Sequence, residues 1–229
     1  MANYVLVHGA WGGGQSYDRT RADLEAAGHK VLVCALTGIG MRQGELHPGI
    51  TLSDHIEDVL VQVYTAGFER FILVGHSYGG MVVTGVAARL GARIDAICYI
   101  DAFWPEDGQS LWDVTGEFEH AWYIEQQKAT PGLVPPIGGI DFEMVPGVIG
   151  LHPLLTLLEG VRLTGEEKKI PRHAYVYATG WQPTPFTRFA EKARDTPGCE
   201  YHESRASHMV MGDQPEQTLE ILLGLAERG

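Results

Sequence analysis

Residues 71–83 read FILVGHSYGGMVV, an apolar run that passes through a glycine-flanked serine into a second apolar run. The first run, Phe71–Gly75, predicts a buried β-strand, and the residues from Tyr78 to about Leu90 predict a helix. Between them, residues 75–79 match the pattern G-x-S-x-G, which places a serine on a sharp turn from strand to helix. Such a turn needs a positive φ and small neighbours, which the glycines provide. The sequence therefore predicts that Ser77 is a nucleophile, with a helix N-cap serine as the structural alternative.

The alternation of strand and helix continues through most of the chain. Besides Phe71–Gly75, strands are predicted at Tyr4–His8, Lys30–Leu36, Ile94–Asp101, His173–Thr179 and Cys199–Ser204. Helices separate them, and the one that begins at Thr51 carries Asp54 three residues later, which is typical of a capping box. This order predicts an α/β fold with a mostly parallel sheet of about six strands and helices on both faces.

The stretch from about residue 104 to residue 171 interrupts the alternation. It contains helical patches at about 111–127 and 154–161, and residues 131–150 between them are rich in proline and glycine. We expect this stretch to be a small helical cap inserted into a single domain of residues 1–229. It should lie over the carboxyl ends of the strands, where ligands bind in sheets of this kind.

Two backbone amides are candidates for an oxyanion hole. Acyl transfer develops negative charge on a carbonyl oxygen, and two N–H donors can stabilise that charge. One donor is expected from Tyr78, directly after the serine, and the other from Ala10, in the glycine-rich loop after the first strand. His8, just before that loop, is interpreted as a buried histidine that fixes the loop.

A serine hydroxyl needs a general base near neutral pH. In chain order the base is expected last, in a loop after the final strand. Among the ten histidines, His208 has this position, because it follows the predicted strand Cys199–Ser204 and precedes the last helix. His202 falls inside that strand and His76 adjoins the nucleophile, so both are interpreted as structural.

Composition limits the classes of partner. The formal net charge is −12, which disfavours nucleic acid and anionic membranes. Residues 1–3 lead directly into a strand without a signal-peptide pattern, and no run approaches ~18 apolar residues. The three cysteines read as reduced core residues. We therefore expect a cytoplasmic protein, without a metal site or cofactor, that binds a small molecule; the oligomeric state stays open, a homodimer included.

Three motifs resemble one branch of the α/β-hydrolases. HGAW at 8–11, GHSYGGMV at 75–82 and SHMVM at 207–211 are similar to the plant methylesterase and hydroxynitrile lyase branch and to its bacterial esterase relatives. The resemblance covers most of the chain and is weakest in the insertion. It implies an α/β-hydrolase fold and a serine triad.

The acid of that triad departs from the branch. In the branch it usually follows the strand before the last one, but residues 177–183, YATGWQP, contain no carboxylate. Asp101 ends the strand after the nucleophile helix, which resembles the acid position of some haloalkane dehalogenases and lipases. We therefore predict that Asp101 orients His208; the structural alternative is an aspartate that caps a turn. Glu203 is close to His208 in sequence but falls inside a strand.

The resemblance implies hydrolysis of a carboxylic ester through an acyl-enzyme. The hydroxynitrile lyases of the branch place a lysine directly after the histidine, whereas Met209 stands there in this chain, as in the esterases. Thioesters and lactones would use the same groups. The alternatives are a lyase-like or other non-hydrolytic use of the triad, and a ligand-binding receptor with slow turnover.

The substrate pocket is expected to be apolar. Its candidate lining residues are aromatic side chains and methionines near the predicted site or in the insertion: Trp11, Tyr78, Trp104, Met209, Trp112, Phe118, Trp122, Tyr123, Phe142 and Met144. Each is also explained by ordinary packing, but together they favour a hydrophobic substrate. Trp181, where the usual acid is missing, is interpreted as structural.

Overall fold

A computed structural model describes residues 1–137 and 150–227 of the chain, and a six-stranded parallel sheet runs through it. The strands of this sheet, with their bounds, are β1 (Asn3–Val7), β2 (Lys30–Cys34), β3 (Phe71–His76), β4 (Ile94–Ile100), β7 (His173–Ala178) and β8 (Cys199–Ser204). Their order is β2-β1-β3-β4-β7-β8. Two further strands, β5 (Leu133–Val134) and β6 (His152–Pro153), pair antiparallel outside this sheet.

Helices connect the strands. The α-helices are α1 (Asp18–Ala26), α2 (Leu52–Thr65), α3 (Gly79–Leu90), α4 (Leu111–Val114), α5 (Glu117–Gln126), α6 (Leu155–Leu158), α7 (Thr187–Asp195), α8 (Val210–Asp213) and α9 (Pro215–Glu227). Short 3-10 helices cover Gly14–Tyr17, Gly40–Glu45, Gly91–Arg93 and Glu166–Lys169. Within the described ranges, no helix has the length and apolar character needed to cross a membrane.

The sheet has a separate core on each face because successive side chains of a strand point to opposite faces. In β1, Val5 and Val7 belong to the core that includes apolar residues of α2, α3 and α7, whereas Tyr4 and Leu6 belong to the core that includes residues of α1, α8 and α9. The central strand β3 is buried along its whole length. The predicted α/β-hydrolase fold, with helices on both faces of a six-stranded parallel sheet, is confirmed.

A local signal sets the start of α2. At the start of α2, the Thr51 hydroxyl accepts the Asp54 N–H and the Asp54 carboxylate accepts the Thr51 N–H. The predicted helical patch at 111–127 is two helices instead of one. It is interrupted because Thr115 has extended backbone angles and Gly116 is the N-cap residue of α5.

The elements between β4 and β7 occupy the stretch in which the sequence predicts an insertion. Among the described residues they are α4, α5, the β5–β6 pair, α6 and the 3-10 helix Glu166–Lys169, and we call α4, α5, the β5–β6 pair and α6 the cap. Phe142 and Met144, which are among the predicted pocket residues, lie outside the described residues.

Candidate active site

Ser77 lies on the turn between β3 and α3 with a φ of 55°, one of three positive-φ residues other than glycine among the described residues. The turn has no space for larger neighbours. A Cβ atom on Gly79 would lie 2.5 Å from the carbonyl oxygen of Val7, and one on Gly75 would lie 2.8 Å from that of Gly79. The glycines of the motif therefore allow the strained turn that presents the serine.

His208 and Asp101 form a buried pair. Nδ1 of His208 lies 2.7 Å from Oδ2 of Asp101, and the two residues are 7% and 0% exposed. The Ala178 N–H donates to the second carboxylate oxygen at 3.2 Å. Since a carboxylate only accepts, Nδ1 carries the proton and donates it, which leaves Nε2 as the nitrogen that can accept a proton.

The sheet explains how residues 107 positions apart come together. Asp101 directly follows β4, with a φ of 40°, and its N–H donates to Val176 of the neighbouring β7 at 2.7 Å. His208 follows β8, on the other side of β7. The carboxyl ends of adjacent parallel strands therefore bring the acid and the histidine to one edge of the sheet.

Burial acts on both groups in the direction of the uncharged form. Desolvation raises the pKa of Asp101, while the hydrogen bond from Ala178 opposes that rise. Desolvation also lowers the pKa of His208. A neutral imidazole at neutral pH is the form that a general base requires.

Three rings enclose His208, and none of them was predicted from the sequence to belong to the site. Phe186 stacks on it at 5.0 Å and 9°, Trp181 lies at 4.8 Å, and His76 at 4.6 Å. His76 also bonds through Nε2 to the backbone oxygen of His208 at 2.9 Å. Trp181 and Phe186, from the segment that lacks the usual acid, thus supply a hydrophobic wall beside His208. The one sign of this wall in the sequence is that residues 177–183 contain no carboxylate.

The loops after β1 and β3 come together beside Ser77. Ala10 and Tyr78 both line the cavity that Ser77 and His208 also line. Within the part of the chain that the structure describes, neither the Ala10 nor the Tyr78 backbone N–H has an intramolecular acceptor. His8 is buried, and its Nδ1 donates to the Gly9 carbonyl at 2.8 Å.

The cavity has a volume of about 590 Å³. Its walls come from the loops after β1, β3 and β4, from the cap and from residues 181–188, and most of its lining is apolar: Trp11, Phe103, Leu111, Val114, Phe118, Tyr123, Ile137, Leu157, Trp181, Pro183, Pro185 and Phe186. Glu119 and Arg188 are the charged side chains in the described lining. The cavity can therefore hold a hydrophobic molecule against Ser77.

Only some of the predicted pocket residues line the cavity. Trp11, Tyr78, Phe118 and Tyr123 line the cavity, while Met209 borders a smaller recess beside Ser77 and His208. Trp112 and Trp122 are absent from the cavity lining and pack within the cap.

Trp104 requires a correction. Its ring stacks on Tyr99 at 5.0 Å and on His173 at 5.8 Å, with Lys192 Nζ 4.9 Å from its centre. It does not line the cavity, because this packing holds the ring against the sheet.

In residues 1–137 and 150–227, there is no group of three or more His, Cys, Asp or Glu side chains that could hold a metal ion.

Comparisons with known proteins agree with this architecture. Residues 4–221 match the alpha/beta hydrolase family. A carbendazim hydrolyzing esterase from Nocardioides sp. is 36% identical over an alignment of 246 residues, which covers 98% of this chain and 100% of that protein. Methylesterase 7 from Arabidopsis thaliana is 33% identical over 105 residues, 45% of this chain and 40% of that protein.

A solved structure agrees as well. An extracellular α/β-hydrolase from a Paenibacillus species superposes with a TM-score of 0.81 over 98% of this chain and 99% of that one, at 21% identity. This likeness is one of fold. Together with the esterase that matches along the whole chain, the comparisons confirm the predicted resemblance and the predicted esterase class, and the chain belongs to the alpha/beta hydrolase family.

Proposed function

We propose that this chain is a serine esterase that cleaves a small hydrophobic carboxylic ester through an acyl-enzyme. One observation carries the proposal. The buried His208–Asp101 pair, joined at 2.7 Å, opens on the same cavity as Ser77, which lies on a strained strand-to-helix turn. A nucleophile, a base and a group that orients the base are the parts that this chemistry requires.

In the acylation half, Ser77 Oγ attacks the ester carbonyl carbon and its proton passes to Nε2 of His208. The carbonyl π electrons move to oxygen, and the charge is stabilised by the N–H groups of Ala10 and Tyr78. When the tetrahedral intermediate collapses, the bond to the alkoxy oxygen breaks. The alcohol leaves with the proton that His208 returns, and Ser77 carries the acyl group.

In the deacylation half, water attacks the acyl carbon and gives a proton to His208. The second tetrahedral intermediate collapses, the bond to Ser77 Oγ breaks, and the serine recovers its proton from His208. Asp101 stays ionised and stabilises the imidazolium that forms twice in the cycle. The products are one carboxylic acid and one alcohol for each ester and water.

The shape and chemistry of the cavity support a hydrophobic substrate. The volume of about 590 Å³ falls in the range of small-molecule sites, which are mostly apolar with a few placed polar groups. The aromatic walls from the cap and from residues 181–186 surround the nucleophile. Thioesters and lactones present the same carbonyl and belong in the same assay panel.

The test combines turnover and labelling. We expect hydrolysis of p-nitrophenyl butyrate by the natural chain, and a loss on the order of 10⁶-fold in kcat for Ser77→Ala. A fluorophosphonate should label Ser77, as read by peptide mass spectrometry. The control is Ser53→Ala, an exposed serine of α2 that bonds Glu159, which should be labelled and active like the natural chain.

Two results would contradict the proposal: no fluorophosphonate adduct on Ser77, or equal turnover by the Ser77→Ala variant. Cyanide release from a cyanohydrin without ester hydrolysis would indicate a lyase instead. Tight binding of an aromatic acid without any turnover would indicate a receptor.

A further inference from the structure

His152, in strand β6 of the cap, is a fully buried histidine that neither the triad nor the cavity lining uses. Its ring centre lies 4.8 Å from that of Tyr78 and 5.8 Å from that of Trp11. Tyr78 carries one proposed oxyanion donor, and Trp11 directly follows Ala10, which carries the other. One cap side chain therefore contacts both loops of the proposed oxyanion hole.

Trp11 is held in place by the paired strands β5 and β6. The indole N–H of Trp11 donates to the carbonyl of Val134 at 2.9 Å, and Val134 is the cross-strand partner of His152. The Gly150 N–H donates to the Trp11 carbonyl at 3.1 Å. Trp11 itself has a φ of 63°, a conformation that needs such support.

The Tyr78 side is fixed by a second buried histidine. The Nε2 of His55 lies 2.9 Å from the Thr37 carbonyl, so Nε2 carries the proton and donates it. Nδ1 then accepts the hydroxyl proton of Tyr78, across 2.8 Å. The tyrosine is thus held at its hydroxyl by α2, and its ring is in T-shaped contact with His152 of the cap.

His152 is itself held in place. The Thr156 hydroxyl donates to the Pro153 carbonyl at 2.7 Å, so its oxygen accepts the Nε2–H of His152 at 2.7 Å. Nδ1 of His152 is buried and has no partner among the described residues. A buried ring nitrogen without a partner opposes stability, and an apolar ring could fill the space without that cost.

We infer that His152 is a positioning residue that sets the spacing between the two oxyanion donors. The inference rests on the proposed function. The donors come from loops after two different strands, and the His152 ring packs against a side chain of each loop. Because donors must lie at about 2.7–3.1 Å from the developing oxyanion, a shift of either loop weakens the transition state more than the ground state.

The test uses His152→Ala and His152→Phe with p-nitrophenyl butyrate. We expect His152→Ala to lower kcat by about 10- to 100-fold with little change in KM, since small misplacements cost up to about 100-fold. A trifluoromethyl ketone, which forms a tetrahedral adduct with an oxyanion, should lose affinity by the same factor as kcat/KM. A methyl ketone of the same length that binds without an adduct should keep its affinity.

Rescue separates positioning from a loss of folding. His152→Phe keeps a ring between Trp11 and Tyr78 and should recover most of kcat. His120→Ala is the matched control, because His120 is a cap histidine that stacks on Trp112 at 3.7 Å and lies outside the cavity lining. Its kcat should stay near that of the natural chain.

His152→Leu is a second variant, in case His152→Ala does not fold. It fills most of the volume with an apolar side chain but removes the planar ring that packs against Trp11 and Tyr78, and kcat should fall without a matching rise in KM. The inference is overturned if the folded variants keep kcat and trifluoromethyl ketone affinity, or if both ketones weaken equally. A natural chain that neither turns over esters nor binds the trifluoromethyl ketone would instead refute the proposed function.

Discussion

At the scale of the residue, the placement of Asp101 explains how the chain departs from its branch. The carboxylate that bonds His208 comes from the end of β4, whereas the branch usually takes its acid from the segment that here contains Trp181. Asp101 pairs with Val176 across the β4–β7 boundary, so the ends of the two strands are neighbours. An acid from either strand can reach the histidine after β8, which leaves residues 181–186 free to form an apolar wall.

We predict that Asp101→Asn lowers kcat by about 10⁴-fold. The amide keeps the shape of the carboxylate but can donate a proton to Nδ1, which stabilises the wrong imidazole tautomer and removes the charge that supports the imidazolium. Steady-state ester hydrolysis measures the loss. Glu203→Gln is the control, because Glu203 lies in β8, where it pairs with Arg194, and its activity should be unchanged; similar losses in both variants would remove Asp101 from the triad.

At the scale of the element, the junction of β3 and α3 has no space for a side chain at Gly80. A Cβ atom on Gly80 would lie 2.1 Å from the carbonyl oxygen of Phe103 and 2.9 Å from its nitrogen. The first turn of α3 therefore lies directly on the chain that leaves β4. This close approach holds Ser77 and Asp101 in one rigid unit, since Phe103 N–H also donates to Ser77 O at 3.2 Å.

We predict that Gly80→Ala lowers the free energy of unfolding by about 2–3 kcal/mol, the usual cost of an overpacked core. The added methyl group meets backbone atoms, which cannot rotate away, so catalysis should also fall. Urea denaturation measures the change. Gly44→Ala should have little effect, because a Cβ there has no neighbour within 4 Å, and equal stability of the two variants would contradict the prediction.

At the scale of the whole molecule, Arg172 joins three elements that are distant in sequence. It pairs with Glu200 of β8, and its guanidinium donates to the carbonyl of Leu225 in α9 at 2.7 Å. The two side chains of the pair are only 16% and 27% exposed. Arg172 thus links the start of β7 to both β8 and the last helix.

We predict that Arg172→Met lowers the free energy of unfolding by about 3 kcal/mol, because it leaves the largely buried Glu200 carboxylate and the helix carbonyl without a donor. Urea titration at constant salt measures the free energy of unfolding. Guanidinium chloride is not used because it is itself a salt and would screen the ion pair. Arg194→Met removes the partner of Glu203 in a pair whose side chains are half-exposed, and it should leave stability nearly unchanged. A larger loss in that control would contradict the role of burial.

The sequence alone determined the features that depend on neighbours along the chain. Apolar runs separated by glycine predicted the strands, because burial on both faces of a parallel sheet demands such runs. The G-x-S-x-G pattern predicted the turn at Ser77, because only glycine neighbours fit there. The acid at Asp101 was predicted from strand order, which is still a property of the sequence.

Only the tertiary structure decided which side chains meet across the sheet and the cap. Trp104 packs on Tyr99 and His173 instead of lining the cavity, although its sequence context equally suits either position. No local sequence pattern predicts that Phe186 stacks on His208. The same is true of the position of His152 between Trp11 and Tyr78. The physical reason is that these contacts depend on how separate strands, loops and cap elements are placed in space, and the local preferences of the chain do not contain that placement.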